Sequence, residues 1–378
     1  MRRIFFWAHF AIGLAAGVFI LLMSATGVLL TYERQIVAAA RNAAVQHEPG
    51  SVPLELDALA AAAGAAGALP GSTLTVSRNP AAVVDVAKSR REHIFLDPYT
   101  GQVIPDGAAG VEAVFSRVER VHRWLAFTGG RSEAGAAVND AANLLFGLLL
   151  ISGAVLWWPR KWKWPLLKTQ LFFRRGLPNA KARHYNWHHV LAVWAFLPLM
   201  AIVVSGVVFS YGWANSLVYA AFGERPAARG GPQAGRSVQL DEARPAEVTS
   251  PAASLDRLAA QATEGFGNWR RLVIVLPAAD AETVGMTVDW GNGIQASKTR
   301  TVTLARDGHG RIGAPMAVAS SSGQKARRFL RFLHTGEIYG AIGQTVAGLA
   351  SLAAVVLVYT GLSLAVRRLG RMRRSARS

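Results

Sequence analysis

His9 lies 18 residues before Gly27 and 23 before Tyr32, while His188 lies 18 before Gly206 and 23 before Tyr211. A single offset of 179 residues therefore lays the first apolar stretch over the third without a gap. An imidazole at membrane depth is costly to keep, so its default reading is functional. Two more histidines, His122 and His334, precede the second and fourth apolar stretches. The chain has no cysteine, which excludes disulfides, iron–sulfur clusters, thiolate zinc sites and covalently attached c-type haem. Imidazoles from neighbouring helices can still grip a non-covalent haem iron from its two axial sides, His9 with His188 and His122 with His334.

Each assignment has a competitor. His184 and His189 flank His188, and only the 179-residue register selects His188 as the partner of His9. Gly13 and Gly17 follow His9 at one and two turns, which strips side chains from the helix face above the imidazole. His122 and His334 fall roughly 30 residues before Gly153 and Gly361, about 40 to 45 Å of helix. They belong at the outer mouth of a bundle unless the helix breaks, and Thr128, Gly129 and Gly130 could break it. Arg123 and Arg331 are nearby cations able to pair with haem propionates. His47, His93 and His309 read as solvent-facing polar residues.

These residues need membrane helices to hold them. The chain has 378 residues, 51% of them hydrophobic. No Asp, Glu, Lys or Arg occurs at 4–32, 141–159, 184–223 or 338–366. A helix of roughly 20 apolar residues crosses the hydrocarbon core, so each gap accommodates a span. The spans are placed at 4–32, 141–158, 185–213 and 342–367. A net charge of +18 could signal nucleic-acid binding, but the excess is segregated: Arg2 and Arg3, residues 159–184 and the tail 368–378 carry almost all of it. Short basic segments mark the cytoplasmic side, so both termini are expected inside and nucleic acid is not expected as a partner. A cleaved signal peptide is the alternative for the first stretch. Its apolar run is too long for that and carries His9 within it.

The long loops, 33–139 and 214–337, are then expected outside as two α+β domains. The first alternates over Thr73–Ser77, Val83–Ala87 and His93–Asp97, with a turn at Asp97 to Gly101. The second has a Pro/Gly/Arg-rich linker at 224–236, a helix at Leu255–Thr263 and strands near 272–276, 283–289 and 300–305. Gly308 to Gly313 formally matches a dinucleotide fingerprint, but no helix follows it, so it reads as a hairpin turn. Each loop closes with a basic amphipathic helix bearing His122 or His334. The plan helix, domain, helix thus occurs twice, a tandem duplication. Thr26-Gly27, Ser152-Gly153, Ser205-Gly206 and Thr360-Gly361 recur, one pair per span, and read as close-packing contacts between helices.

Trp7-Ala8-His9, Val121-His122-Arg123, Trp157-Trp158-Pro159-Arg160, Trp187-His188-His189-Val190 and Leu333-His334-Thr335-Gly336, with the hydroxyl–glycine pairs, resemble the PepSY-associated transmembrane family, and the Asp97 turn resembles the turn of a PepSY module. The resemblance covers nearly the whole chain. It implies a four-span protein of the bacterial inner membrane with two PepSY-like periplasmic domains. It also implies two b-type haems and a periplasmic ferric siderophore or other iron chelate as acceptor; because the chain has no credible flavin or nicotinamide module, a quinol or protein electron donor is expected. Two rival expectations are a membrane-anchored peptidase regulator with structural histidines and a transporter component.

Overall fold

The computed structural model describes residues 1–46, 50–89, 91–226, 252–310 and 321–375. His47, most of the 224–236 linker and residues 311–313 of the glycine–histidine segment lie outside them. The chain divides into two compact units.

The first unit is a helical bundle. Its long helices are α1 (Arg2–Leu30), α5 (Glu133–Trp157), α7 (Ala180–Ser210) and α11 (Gly340–Ser375). All four lie in segments long and apolar enough to cross a membrane. Helix α1 packs on α5 and α11, and so does α7, which leaves α1 and α7 on opposite corners of the bundle. Small and aliphatic residues fill the centre: Leu150, Ala195, Leu199, Val203, Ala350, Ala353, Ala354 and Leu357 are all buried. Alanine here lets the helix backbones come close, which is how helices associate where lipid removes any hydrophobic drive.

Helix ends overrun the charge-free gaps because caps, not charges, decide them. The Ser132 side chain accepts from the Gly135 amide and starts α5 eight residues before the expected position 141. Asp140 is tolerated inside that helix, accepting a hydrogen bond from the Ser210 hydroxyl at 2.5 Å. Asn179 likewise caps α7 by accepting from the Ala182 amide. Helix α7 ends at Ser210 rather than at 213, and a short helix, α8 (Gly212–Ala220), follows the extended Tyr211.

Shorter helices are α2 (Glu33–Asn42) and α6 (Trp164–Leu171), and the basic helices before the second and fourth spans are separate elements, α4 (Ala109–Trp124) and α10 (Ser322–His334). Leu125 and Gly129 both take positive φ between α4 and α5. Between α10 and α11, Gly336 has φ 75°, and a Cβ there would collide with the Gly343 carbonyl. These breaks let both helices turn back instead of rising as continuous rods about 40 Å long.

Among the described residues the second unit is built on one antiparallel sheet of seven strands in the order β4-β3-β2-β1-β5-β6-β7. The first loop supplies β1 (Thr73–Ser77), β2 (Val84–Ala87), β3 (His93–Leu96) and β4 (Val103–Ile104), and the second supplies β5 (Arg271–Val275), β6 (Thr283–Asp289) and β7 (Thr299–Ala305). The two loops thus merge where two separate domains were expected. The join is the β1–β5 pair, with Leu74 opposite Ile274 and Val76 opposite Leu272. Alternation puts Leu74, Val76, Leu272, Ile274, Val284, Met286, Val302 and Leu304 on one face, against Leu59 and Ala63 of α3 (Leu56–Ala65) and Leu255, Leu258 and Ala262 of α9 (Leu255–Thr263). The turn after β3 forms as its composition requires: the Asp97 carboxylate accepts from the Tyr99 and Thr100 amides, and Gly101 has φ 70°.

Helices α3 and α9 cap one another. The Leu56 amide donates to Asp256 at 2.9 Å, and the Leu255 amide donates to Asp57 at 3.0 Å. A carboxylate at a helix start satisfies an otherwise orphaned amide and meets the positive end of the helix dipole. Asp256→Ala is expected to cost about 1 kcal/mol, read as lost hydrogen-exchange protection in α3 although the substitution lies in α9.

Candidate functional site

Along α1 the side chains with chemical capacity are His9 and, 17 residues later, Thr26. Along α7 they are His188 and, again 17 residues later, Ser205. At 1.5 Å per residue the bundle therefore carries two polar layers ~25 Å apart.

In the first layer His9 Nδ1 lies 2.9 Å from the Ser152 hydroxyl, and His188 Nδ1 lies 3.0 Å from the Thr360 hydroxyl. In the second, His122 Nδ1 lies 2.8 Å from the Thr26 hydroxyl, and His334 Nδ1 lies 3.0 Å from the Ser205 hydroxyl. The duplication is kept in the contacts themselves. A shift of 179 residues carries His9 to His188 and Thr26 to Ser205, and their partners correspond as well.

The direction of these bonds follows from counting protons. A Ser or Thr hydroxyl has one proton to give. Each of the four gives it to the carbonyl one turn back: Ser152 to Leu148, Thr360 to Val356 and Thr26 to Leu22 at 2.7 Å, and Ser205 to Ala201 at 2.6 Å. Each hydroxyl must then accept from the imidazole, so Nδ1 carries the hydrogen. The Nε2 lone pair is left unprotonated and available to a metal. His334 reinforces this tautomer, since its Nδ1 also lies 2.9 Å from the Ile202 carbonyl.

The glycine after each hydroxyl makes the room. A Cβ at Gly153 would lie 3.4 Å from His9 Cε1, at Gly361 3.2 Å from His188 Cε1, and at Gly27 3.5 Å from His122 Cε1. The fourth differs: Gly206 faces the Asn143 amide, whose nitrogen donates to the Val203 carbonyl at 3.2 Å. The hydroxyl–glycine pairs, expected only to pack helices, thus also orient and accommodate the histidines. Their recurrence in every span was the signal for this role.

Helices α1 and α7 stand diagonally opposite, yet the His9 and His188 rings meet with centroids 6.4 Å apart and planes 88° from parallel. A metal–imidazole bond is roughly 2 Å, and a ring nitrogen lies roughly 1 Å from its ring centre, so two imidazoles sharing one ion sit roughly 6 Å apart. Of the three neighbouring histidines on α7, only His188 is in this position. His184 Nδ1 lies 2.8 Å from the Ser363 hydroxyl, and the His189 ring packs on Tyr185 at 4.2 Å.

Asn139 is a positioning residue that sequence reasoning missed. It is buried, and its side-chain amide donates to the His122 carbonyl at 2.9 Å, which ties the last turn of α4 to α5. The two arginines separate. Arg123 pairs with Glu119 one turn back at 2.8 Å, whereas Arg331 lies over the Phe332 ring at 5.7 Å. His93 and His309 are exposed and lie beside Asp85 and Asp307. Among the described residues no three His, Asp or Glu side chains converge on one point, and the candidate ligands in ring contact are His9 and His188.

Comparison with known families gives a match to the family model described as the PepSY-associated TM region over residues 6–368. With the four apolar helices, this makes the chain a membrane-embedded protein. No curated protein matches.

Proposed function

The chain belongs to the PepSY-associated TM region family, and from that membership together with its four oriented imidazoles we infer that it is a di-haem, b-type electron-transfer protein. It resides in the bacterial inner membrane with both termini in the cytoplasm, the side marked by its short basic segments. Electrons come from a quinol or a protein donor and leave to a periplasmic ferric siderophore or related chelate. The observation that carries this reading is the fourfold His–hydroxyl pair, which fixes one tautomer and leaves Nε2 free in every case.

The residues present fit a haem. His9 and His188 would hold the inner group, and His122 and His334 the outer one. Bound haem would supply a one-electron couple whose potential is set by the residues that hold it and by burial. The rest is the chain's own work. Ser152, Thr360, Thr26 and Ser205 hold each imidazole at its Nδ1, which raises ligand basicity and removes rotational freedom. Gly153, Gly361 and Gly27 keep a side chain from displacing the ring. Buried Leu199, Val203 and Leu357 exclude water between the layers. One electron delivered to the acceptor converts Fe(III) to Fe(II), for which a ligand set built around the harder ion has lower affinity.

The test is the absorption spectrum of protein purified from haem-replete cells. Split α and β bands on dithionite reduction, with two haems per chain, are expected. A colourless protein would overturn the redox reading and favour a peptidase regulator.

A further inference from the structure

Helix α10 carries Lys325, Arg327, Arg328 and Arg331 and no acidic residue. Its counterpart α4, aligned on the histidine, has Ala113, Ser116, Phe115 and Glu119 where α10 has Lys325, Arg328, Arg327 and Arg331. In α4 the acid at the last of these positions neutralises Arg123. The two halves of the duplication have therefore diverged in charge at these positions, while the histidine is the same in both. A packing role shared by the halves would not require this.

The three arginines line a cleft of about 370 Å³, together with Tyr219, Gln324 and Phe332. Its walls are ordered. Arg327 Nε donates to the Asn215 side chain at 2.7 Å, which joins α10 to α8. The Arg328 and Arg331 guanidinium groups lie 5.8 and 5.7 Å from the centre of the Phe332 ring. Neither Arg327 nor Arg331 has an ion-pair partner among the described residues. At the start of α10 the Glu224 carboxylate accepts from the Gly323 amide at 3.1 Å. Arg331 is three residues before His334, so whatever fills the cleft lies within roughly one helical turn of the outer imidazole layer.

A cleft of this size suits a small molecule. Guanidinium forks pair bidentately with oxyanions such as carboxylates, a geometry that a lysine ammonium does not offer. We propose that this cleft is the docking site of the electron acceptor, and that the acceptor is an anionic ferric polycarboxylate chelate. The proposal rests on the redox reading above and narrows its acceptor to one class. Arg331 binds a carboxylate, Arg328 adds positive charge to the same wall, Arg327 braces it, and Phe332 and Tyr219 cover the apolar part of the chelate.

The test uses gallium(III) citrate, a redox-inert stand-in for the ferric complex. Its binding to the full chain in zwitterionic lipid nanodiscs is followed by calorimetry. Wild type should bind it, Arg328→Gln and Arg331→Gln should each weaken binding about tenfold, and a cationic gallium trihydroxamate should bind poorly to all three. Haem content should be the same in all three. Equal citrate binding by wild type and variants overturns the proposal. So does loss of haem from Arg331→Gln, which would assign that arginine to a propionate, or retention of anionic lipid by the cleft in place of citrate. A haem-free chain that still binds gallium citrate through these arginines keeps the anion site and rejects the redox reading, so the two failures are distinguishable.

Discussion

His188→Ala should leave the protein with one haem in place of two, and Thr360→Val should keep both while weakening the inner one by about 10- to 100-fold. In the first variant nothing nearby can take over. The His189 ring is packed on Tyr185 and His184 is held by Ser363, so each is engaged elsewhere. The second variant is the sharper test. Valine nearly matches threonine in volume, so packing against α7 is kept and only the hydroxyl is lost. His188 Nδ1–H then keeps only the Leu357 carbonyl as acceptor, and the lost hydroxyl bond costs about 1 kcal/mol. With one of its two anchors gone the ring is held less firmly, which weakens it as a ligand. Haem per chain, and the rate of haem loss to an apoglobin trap, measure both effects. Two haems in His188→Ala, or haem loss from Thr360→Val no faster than from wild type, would remove the central claim. By the duplication, His9→Ala and Ser152→Ala should behave as the matching pair.

The bundle was legible because charge exclusion is a strong constraint over twenty residues. The four gaps in charge located α1, α5, α7 and α11, although they could not report the caps at Ser132 and Asn179 that lengthen two of them. Alternation likewise located the six longer strands. A two-residue strand such as β4 has no period to detect. The β1–β5 pairing was hidden for a different reason. Both are edge strands of their own loop, their partners lie about 200 residues apart, and nothing in a strand's alternation names its neighbour. At the site, residue type singled out the histidines and the register singled out His188. The hydroxyls were harder, because a Thr-Gly or Ser-Gly pair in a membrane helix is already explained by close packing. Asn139 was passed over because it stands just outside a charge-free stretch, where a polar residue needs no explanation. The contrast between Arg123 and Arg331 was readable from the helical i, i+4 rule, since Glu119 is one turn before Arg123 and no acid is near Arg331 in the helix.

Ile274→Asp should open the segments 34–112 and 252–310 together, even though only the second is altered. Ile274 lies opposite Leu74 across the junction of β1 and β5, and both side chains are fully buried. A carboxylate there has no partner. Its burial adds several kcal/mol to the 2 to 5 kcal/mol lost by deleting a buried isoleucine, and that total is comparable to the whole stability of a small domain. If each loop were a domain of its own, β1, β2 and β3 would keep their mutual pairing and the first segment would stay protected. In a single sheet they cannot, because Leu74 and Val76 share one apolar face with Leu272 and Ile274, and α3 and α9 cap each other above it. Val103→Asp on the far edge strand is the control: Val103 is 59% exposed, so a charge there meets water and should change little. Hydrogen exchange with peptide-level readout distinguishes the cases. Exchange confined to 252–310 in Ile274→Asp would mean two independent modules joined by a dispensable strand pair. Matched loss of protection in both segments would mean that the duplicated loops fold as one cooperative body, so that neither half of the chain could evolve its sheet without the other.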